Sequence, residues 1–418
     1  MWSLTGLEQV PCTPNSAMSI SIMISYWVLL AISAVVITVF TAILLRVLMM
    51  SRDGFGVRRG LSLPPPKGGW PMVSIIVPAH NEERVIDACA TSLRRVDYPN
   101  LEIIFVLDRC TDSTESIVTR HRAEDDRVHM VVNEACPDDW AGKCNAARLG
   151  AQRSTGAYLL FTDADTQFDP GLVRATIAVA IEMAAGLVSI LSSLTSTHFF
   201  EWCIQPTLSM SLITLYPLRR VNRDVGQRPF ANGQFLLFSR KQYESIGGHA
   251  GVKDAILEDI AFARAVADDG GRSRVLRSDG MLRVSMYGTL DAFKRGWQRI
   301  FVEACNRRPG RMFKTGVRQA LFGVLIPISI LGLVSLVVFG DIPNHDVIAS
   351  WIVVGVICVL WCLSLWVSYT INGTPKWAII IFPIGCVWGG LILIDGVKRL
   401  KNREPIQWGG RSYIIEPQ

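Results

Sequence analysis

Four uncharged apolar runs constrain this chain more than any other feature of its sequence. They are Met18–Leu45, Leu321–Gly340, Val347–Ile371 and Trp377–Ile394. A helix needs about 20 apolar residues to cross a bilayer, and each run reaches or approaches that length. Buried helices of a large soluble protein are the alternative, but such helices usually carry a polar stripe. Because 50% of its 418 residues are hydrophobic, the chain is predicted to be a membrane protein.

The charges beside these runs predict a topology. Residues 1–17 contain no Lys or Arg, so they are expected outside the cytoplasm, before a retained anchor over 18–50 rather than a cleavable signal. Basic residues in the linker 51–71 place the next domain in the cytoplasm. The basic tail 397–418 also favours the cytoplasm, although three later spans would leave it outside. Either one of the apolar segments is re-entrant or interfacial, for which Leu321–Gly340 with its proline is a candidate, or one charge cluster misleads.

Residues 72–290 alternate between short apolar runs and polar, helix-compatible segments. The predicted strands are Val73–Val77, Leu101–Leu107, Val128–Val132 and Ala157–Phe161, and the predicted helices cover residues 82–95, 112–124 and 142–154. This alternation indicates βαβ units and a mostly parallel sheet in one large α/β domain. A juxtamembrane helical region is expected at 291–320, followed by transmembrane or interfacial helices over 321–396.

Two stretches within this region are unusually apolar. They are Leu172–Leu194 and Phe199–Leu218, the second of which is rich in aromatic residues and ends at two arginines. One interpretation is a pair of buried helices. The other is a surface that enters the lipid headgroups, which would suit a lipid substrate.

The charge and cysteine content exclude several classes of function. The net charge of +6 is modest, and the basic residues cluster beside the apolar runs, which suits anionic lipid surfaces better than nucleic acid. The ten cysteines show no C-x-x-C spacing. They are therefore interpreted as reduced thiols rather than as zinc ligands or a disulfide framework.

Two aspartates at the end of the fourth predicted strand are the strongest chemical signal. Asp163 and Asp165 follow the apolar run that ends at Phe161. Ligands of α/β proteins bind at the carboxyl ends of strands, and carboxylates are the ligands that hard divalent cations prefer. A polar turn is the alternative for the pair alone.

Four further segments of the domain carry polar or charged residues that could contribute to a site. They are the strand-end segments Val77–Glu83 and Leu107–Thr114, the segment Ala141–Ala147, and the acid pair Glu258-Asp259 at a helix start. Lys143, in the third of these, is suited to a phosphate if it is not simply a solvated side chain. Asp112 in the second is best explained as a helix cap. An acid such as Asp259 can cap a helix or act as a general base.

The order of these motifs resembles that of the family 2 glycosyltransferases. The segments Pro-Ala-His-Asn-Glu, Asp-Arg-Cys-Thr-Asp-Ser-Thr, Gly-Lys-x-Asn-Ala, Asp-Ala-Asp, Asn-Gly-Gln and Glu-Asp occur in sequence between about Val73 and Arg274. The resemblance implies the GT-A fold, a Rossmann-like domain with a mostly parallel sheet, here flanked by transmembrane helices. It also implies a nucleotide-sugar donor, a UDP- or GDP-sugar.

The resemblance assigns a donor side to the site. It implies that Pro78, Glu82 and Asp108 face the nucleoside, that Lys143 lies near the nucleotide, and that Asp163 approaches the ribose or the sugar. The usual Asp-Asp start of the second motif is Leu107-Asp108 here. One nucleoside contact of the family is therefore missing or replaced.

The resemblance also assigns a metal ligand, a base and an acceptor side. Asp165 would ligate Mn²⁺ or Mg²⁺ on the diphosphate, and Asp259 would be the catalytic base. Asn232 and Gly233 resemble the acceptor-side segment, and Glu258 is placed on the acceptor or diphosphate side with them.

The region after the base departs from the family pattern. Processive and ceramide-type members carry a Gln/Arg-x-x-Arg-Trp motif, whereas this chain has Arg295-Gly-Trp297-Gln-Arg299. Arg295, Trp297 or Arg299 is a candidate for the diphosphate or acceptor side, and a basic juxtamembrane helix is the alternative. The ending Trp408-Gly-Gly-Arg411-Ser-Tyr413 resembles the tail of lipid-modifying bacterial members, including carotenoid- and hopanoid-associated enzymes.

These observations predict an inverting, metal-dependent transferase that moves a sugar to a hydroxyl of a membrane lipid. The protein is expected to be a multi-pass protein of the inner cell membrane with a cytoplasmic catalytic domain and no nucleic-acid partner. A processive polysaccharide synthase of the same family and a non-catalytic membrane scaffold are the alternatives.

Overall fold

The computed structural model of the protein describes residues 20–194, 197–224, 226, 228–253, 255, 257–284, 287–340, 342–404, 406–408, 411–413 and 416–417. The predicted extracytoplasmic segment 1–17 lies outside the described residues.

Helices account for most of the described chain. They are α1 (Ile20–Ser51), α2 (Ile86–Arg94), α3 (Thr114–Glu124), α4 (Gly142–Arg153), α5 (Leu172–Glu182), α6 (Phe199–Leu215), α7 (Leu218–Val221), α8 (Arg240–Ser245), α9 (Glu258–Asp268), α10 (Leu290–Ala304), α11 (Pro309–Phe339), α12 (Asn344–Asn372) and α13 (Phe382–Lys401). Short 3₁₀ helices cover Val57–Ser62, Gly248–Val252 and Lys376–Ile379.

The strands of the described residues form three sheets. They are β1 (Val73–Ala79), β2 (Leu101–Asp108), β3 (Val128–Asn133), β4 (Tyr158–Thr162), β5 (Thr166–Phe168), β6 (Leu187–Leu191), β7 (Ser193–Leu194), β8 (Phe235–Ser239), β9 (Ser273–Arg277), β10 (Leu282–Val284), β11 (Ile406–Trp408) and β12 (Arg411–Tyr413). The main sheet has the order β3-β2-β1-β4-β8-β6-β9, the second has β5-β10-β7, and the third pairs β11 with β12.

The main sheet confirms the predicted α/β class. β1 runs parallel to β2 and β4, and β2 runs parallel to β3, while β8 is antiparallel to both of its neighbours. All eight residues of β2 are buried, as expected for a parallel strand covered by helices on both faces. The predicted strands and helices up to Phe161 are confirmed, with ends that differ by a few residues.

The two unusually apolar stretches are largely explained by burial. Leu172–Glu182 forms α5, which has a largely buried face, and the following residues enter strands β6 and β7 instead of continuing a helix. Phe199–Leu215 forms α6, whose buried residues include Cys203, Ile204 and Leu208. The prediction of a helix pair is therefore right for one helix of each stretch and wrong for the end of the first.

Three described helices, not four, are long and apolar enough to cross a membrane. They are Ile20–Met50, Pro309–Phe339 and Asn344–Thr370. The predicted span Trp377–Ile394 is wrong, because it is divided between a 3₁₀ turn and α13, and α13 buries one face against protein. Leu321–Gly340 was the candidate for a re-entrant or interfacial segment, but its residues up to Phe339 belong to α11, a continuous helix that contains Pro327.

Glycines allow α13 to pack at backbone distance. A Cβ added to Gly385 would lie 1.9 Å from the carbonyl oxygen of Cys203 in α6. Gly316 of α11 and Gly390 of α13 each face the other's carbonyl oxygen, at 2.8 and 2.5 Å from an added Cβ. No side chain larger than hydrogen fits these positions, so the glycines determine how closely the helices approach.

The chain forms two compact units. The first comprises α1 as far as Leu44 together with Val324–Ser364, and the second comprises Leu45–Gly323 together with Leu365–Gln418. The second unit therefore extends beyond the predicted domain 72–290. It includes α10, the first part of α11 and α13, because these helices share a hydrophobic cluster with α6.

We expect Gly385→Ala to lower the free energy of unfolding by about 1–3 kcal/mol, because the added methyl group overlaps the backbone of α6. The measurement is the midpoint of thermal unfolding of the full chain in detergent. Gly355→Ala in α12 is the matched control, since nothing lies within 4 Å of its added Cβ. An unchanged midpoint for Gly385→Ala would contradict the close packing of α6 and α13.

Candidate functional site

The topology brings the strand-end motifs to one edge of the main sheet. β1 lies between β2 and β4, and the three strands are parallel. Their carboxyl ends therefore meet, which places the segments after Ala79, Asp108 and Thr162 side by side. In open α/β sheets this edge is where ligands bind.

The sheet opens at Pro78. β1 pairs with β2 as far as Ala79, but its pairing with β4 ends at the pair Ile76 and Phe161. Proline has no N–H to give to a sheet ladder, so it suits a position where one neighbouring strand has already diverged. The pairing of β1 with β4 therefore ends two residues before Asp163.

Lys143 joins acids from two distant parts of the chain. Its Nζ lies 2.7 Å from Oδ1 of Asp163 and 2.8 Å from Oε1 of Glu258. Burial would lower the pKa of Lys143, but the two carboxylates hold it well above its usual value. Burial would likewise raise the pKa of Glu258, and Lys143 instead keeps it below its usual value. The lysine is therefore charged and bound on both sides.

Asp165 carries negative charge that this arrangement does not balance. Its Oδ1 is buried and has no hydrogen-bond partner among the described residues. Burial, with the charges of Asp163 and Glu82, raises the pKa of Asp165 to about 7. Burial and the charge of Asp163 also raise the pKa of Glu82. An unpartnered carboxylate oxygen among other acids is what a divalent cation would neutralise.

The donor set fits a cation that shares its coordination with a ligand. Among the described residues, no group of three His, Cys, Asp or Glu side chains is arranged to hold a metal ion. Among the acids at this edge of the sheet, Asp165 offers an unpartnered, buried carboxylate oxygen. A cation there would keep most of its positions open for oxygens that are not part of the protein.

Asp259 is oriented by backbone groups. Its Oδ2 accepts a hydrogen bond of 2.8 Å from Gly233 N, and its Oδ1 accepts one of 2.7 Å from Ile260 N. A Cβ on residue 233 would lie 3.3 Å from the same Oδ2, so glycine permits the close approach. Burial and the charge of Glu258 raise the pKa of Asp259 to about 7. Such a carboxyl group can take up a proton near neutral pH.

Asn232 holds the neighbouring Gly233 in place through hydrogen bonds within the protein. Its side-chain Nδ2 donates 2.9 Å to the carbonyl oxygen of Ile190 and also lies within hydrogen-bond distance of Ser192 and Gln234. Its backbone N donates 2.7 Å to Ser189 Oγ. The amide hydrogens of Asn232 are thus used within the protein, and the residue fixes the turn that presents Gly233.

Asp108 lies at the end of β2 and is held by its neighbours. Arg109 Nη2 lies 2.6 Å from its Oδ2, and Asn133 Nδ2 donates 2.6 Å to its Oδ1. His80 Nδ1 donates 2.5 Å to its backbone carbonyl oxygen. A Cβ on Gly142 would lie 2.8 Å from Oδ2, so glycine admits the carboxylate. Arg109 and Asn133 were not predicted as site residues, although Arg109 lies within the second motif.

Asp112 lies one residue before Ser113, the N-cap of α3, and bonds to the first turn much as a cap would. Its two carboxylate oxygens accept hydrogen bonds from Thr114 N at 3.0 Å and from Glu83 N at 3.1 Å. One side chain thereby fixes the start of α3 and the turn that carries Glu82. This residue positions the site without forming part of it.

The three candidates on α10 occupy different environments. Trp297 is 3% exposed and packs between Phe293 and Phe301, with an indole N–H that has no hydrogen-bond partner in the described chain. Arg295 is exposed. Arg299 lies close enough to Tyr287 for its charge to act on that phenol. Of the three candidates, Arg299 is the one whose charge acts on Tyr287, a phenol on which the charge of Asp165 also acts.

Tyr287 is a further residue near this site, and the sequence analysis did not identify it. Its hydroxyl is buried and has no partner within the described residues. Burial raises the pKa of Tyr287 to about 12, the charge of Arg299 opposes the rise, and that of Asp165 adds to it. The charges of Arg299 and Asp165 thus act on the phenol in opposite directions. It belongs to no motif, so no local pattern could have identified it.

The charges show which candidates converge. The charge of Lys143 acts on both Asp165 and Asp259, lowering a pKa that burial raises in each case. Asp163, Glu82 and Glu258 belong to the same group. Asp108 lies at the end of the neighbouring strand β2. The interactions of the described residues do not connect Arg295 or Trp297 with the acids around Lys143.

Known proteins resemble this part of the chain. The family model described as Glycosyl transferase family 2 matches residues 74–247. A probable glycosyltransferase YdaM of Bacillus subtilis is 37% identical over 97 residues, which are 23% of this chain and 23% of that protein. Beta-monoglucosyldiacylglycerol synthase of Nostoc sp. is 27% identical over 184 residues, which are 44% of this chain and 38% of that protein.

The relatives are matched over only part of their length, 23% and 38% respectively. Among solved structures, a mannosyltransferase from Pyrobaculum calidifontis in complex with GDP-Man and Mn²⁺ is 17% identical. That comparison covers 89% of this chain and 98% of the other, with a TM-score of 0.48.

We expect Lys143→Met to lower the free energy of unfolding at neutral pH by about 1–3 kcal/mol, because Asp163 and Glu258 lose the charge between them. The side chain of Lys143 is 29% exposed, so solvent screens part of the effect. Lys253→Met is the control, since it removes an exposed ion pair with Asp139. Thermal unfolding of the full chain in detergent is the measurement.

The pH dependence of the Lys143→Met effect has a defined sign. The pKa of Glu258 is lowered in the folded protein, so its contribution is present above its unfolded pKa and is lost as the pH falls through the folded value. The raised pKa of Lys143 makes its contribution disappear only as the pH rises through that higher value. The deficit should therefore shrink on acidification. A deficit that grows in acid would contradict the ion pair.

Proposed function

The chain carries a glycosyltransferase domain of family 2 over residues 74–247, and we propose that the protein transfers a sugar from a nucleotide-diphosphate donor to a membrane lipid. The observation that carries the proposal is the group of acids around Lys143, in which Asp165 has an unpartnered buried oxygen and Asp259 has a pKa of about 7. The first suits a metal-bound diphosphate and the second suits a base.

The donor would bind at the carboxyl ends of β1, β2 and β4. The nucleoside would lie at the strand ends, beside Pro78, Glu82 and Asp108. The diphosphate and sugar would lie beside Lys143 and Asp163. Asp165 would hold Mn²⁺ or Mg²⁺, which supplies positive charge to the departing nucleotide. The charges of Arg299 and Asp165 both act on Tyr287, which supports a role for Tyr287 and Arg299 at the diphosphate.

Asp259 is proposed as the general base. The two backbone N–H groups hold its carboxylate in one orientation, and its raised pKa matches removal of a proton from an attacking hydroxyl. Lys143 fixes Glu258 next to it, so the negative charge of Glu258 keeps the neighbouring carboxyl basic. A single displacement by the activated hydroxyl inverts the configuration at the anomeric carbon.

A lipid acceptor and a membrane location are proposed from the helices. Three described helices could cross a membrane, and crossing by all three would leave residues 51–308 and the basic tail on the same side. Basic residues in both segments favour the cytoplasmic side of the inner membrane. The glucosyldiacylglycerol synthase among the relatives supports a lipid acceptor. Attachment to the bilayer would raise the effective concentration of such an acceptor.

We expect Asp259→Asn to reduce transfer by at least about 100-fold, because the amide cannot accept the proton. The readout is mass spectrometry of lipids from cells expressing each variant, in which the native chain adds a hexose to one lipid class. Thermal shift with UDP and GDP should show unchanged nucleotide binding. Asp268→Asn, an exposed position on the same helix, is the control. Normal glycolipid yield from Asp259→Asn would exclude it as the base.

Metal binding should depend on pH through Asp165. Because protonation competes with the metal and its folded pKa is about 7, we expect Mn²⁺ affinity to rise about tenfold between about pH 6 and pH 8. Titration calorimetry in the presence of UDP or GDP measures this affinity. Asp165→Asn should abolish the metal-dependent part, whereas the exposed Asp126→Asn should not. Equal affinity at both pH values would argue against Asp165 as the ligand.

A further inference from the structure

A second group of charged residues surrounds Tyr216, between α6 and α7. The guanidinium carbon of Arg228 lies 4.6 Å from the centroid of the Tyr216 ring. Arg228 N donates a hydrogen bond of 3.1 Å to the carbonyl oxygen of Arg220, which belongs to α7. The Tyr216 hydroxyl donates 3.3 Å to the carbonyl oxygen of Ala304 at the end of α10. These contacts connect α7 with the turn that follows α10.

That turn brings further arginines to the same place. Arg264 Nη2 donates 3.4 Å to Asn306 Oδ1, and Arg311 N donates 3.1 Å to the carbonyl oxygen of Arg308. Asn306 and Arg307 have φ angles of 56° and 53°, in the left-handed region. Two such residues in succession are unfavourable unless their surroundings hold them. The turn is therefore a fixed element rather than a loose connection.

The arginines gathered here lack acidic partners. The arginine cluster consists of Arg220, Arg228, Arg264, Arg308 and Arg311. In the described part of the chain, none of the five forms an ion pair, whereas the adjacent acids Glu303 and Asp224 are already paired with Arg307 and with Arg272 and Arg274. Burial, with the charges of Arg311 and Arg220, lowers the pKa of Arg228. The cluster carries repulsion that a bound anion would relieve.

The position of the cluster indicates which anion it meets. Arg308 and Arg311 lie at the beginning of α11, a helix that is long and apolar enough to cross a membrane. The end of such a helix lies at the depth of the lipid headgroups, where arginines meet anionic lipids and tyrosines are enriched. Guanidinium groups also bind phosphate oxygens in pairs, which a lysine does not.

We propose that the arginine cluster binds the phosphate of an anionic phospholipid headgroup at the start of α11. This site is separate from the acids around Lys143 and needs no sugar donor. Arg228, stacked on Tyr216, would form its inner wall, and Arg220, Arg264 and Arg311 would surround the phosphate. Such binding would anchor the glycosyltransferase domain to the membrane surface independently of its acceptor.

The test measures thermal unfolding of the full chain in neutral detergent during titration with short-chain phosphatidylglycerol. We expect the lipid to raise the unfolding midpoint of the native protein, and phosphatidylcholine of equal chain length to have little effect. Arg228→Gln with Arg311→Gln should weaken the apparent affinity at least about tenfold. Arg122→Gln with Arg153→Gln, which removes the same charge from exposed arginines, is the matched control.

Other variants and ligands separate the possible results. Arg220→Gln with Arg264→Gln removes exposed members of the cluster if the first pair does not fold, and should weaken binding similarly. Equal affinity in both cluster variants and in the control would overturn the proposal. Inorganic phosphate that stabilises as well as phosphatidylglycerol would also overturn it, by assigning the site to soluble phosphate. Asp259→Asn should bind the lipid normally, which distinguishes this site from the proposed transferase function.

Discussion

The repulsion among acids at the edge of the main sheet is the constraint on which the rest of the site depends. Glu82, Asp163, Asp165, Glu258 and Asp259 approach one another, and the described residues oppose them chiefly with Lys143. A single lysine cannot neutralise five carboxylates. It forms ion pairs with Asp163 and Glu258, and Asp165 and Asp259 keep raised pKa values. The excess of negative charge thus favours the binding of a cation at Asp165 and keeps the carboxylate of Asp259 basic.

The backbone keeps these groups together despite their repulsion. β1, β2 and β4 are buried and hydrogen-bonded, so the segments at their ends cannot move apart without breaking the sheet. The Gly233 and Ile260 N–H groups hold Asp259, and Asp112 holds the turn that carries Glu82. Burial of the hydrophobic interior offsets the electrostatic repulsion among the acids at this edge. Carboxyl groups with shifted pKa values are typical of functional sites.

The sequence allowed prediction of features that depend on local pattern. The apolar runs of β1 to β4 correctly indicated a parallel sheet, and their order placed Asp108 and Asp163 at one edge. The antiparallel strand β8 and the effect of the Asp165 charge on Tyr287 could not be predicted, because both depend on the approach of distant segments. The expected span at Trp377–Ile394 failed for a related reason. Its glycines and apolar residues serve packing against α6 and α11, which hydropathy alone does not distinguish from contact with lipid.

The facing glycines of α11 and α13 limit how this protein can change during evolution. Gly316 and Gly390 each occupy the space that a side chain on the other helix would need. A substitution at either position would force the two backbones apart, and a second substitution could not restore the original distance. Homologues should therefore either retain both glycines or lose both together with a displaced α13. The pair would then mark a boundary between subgroups that differ in the geometry of their helices.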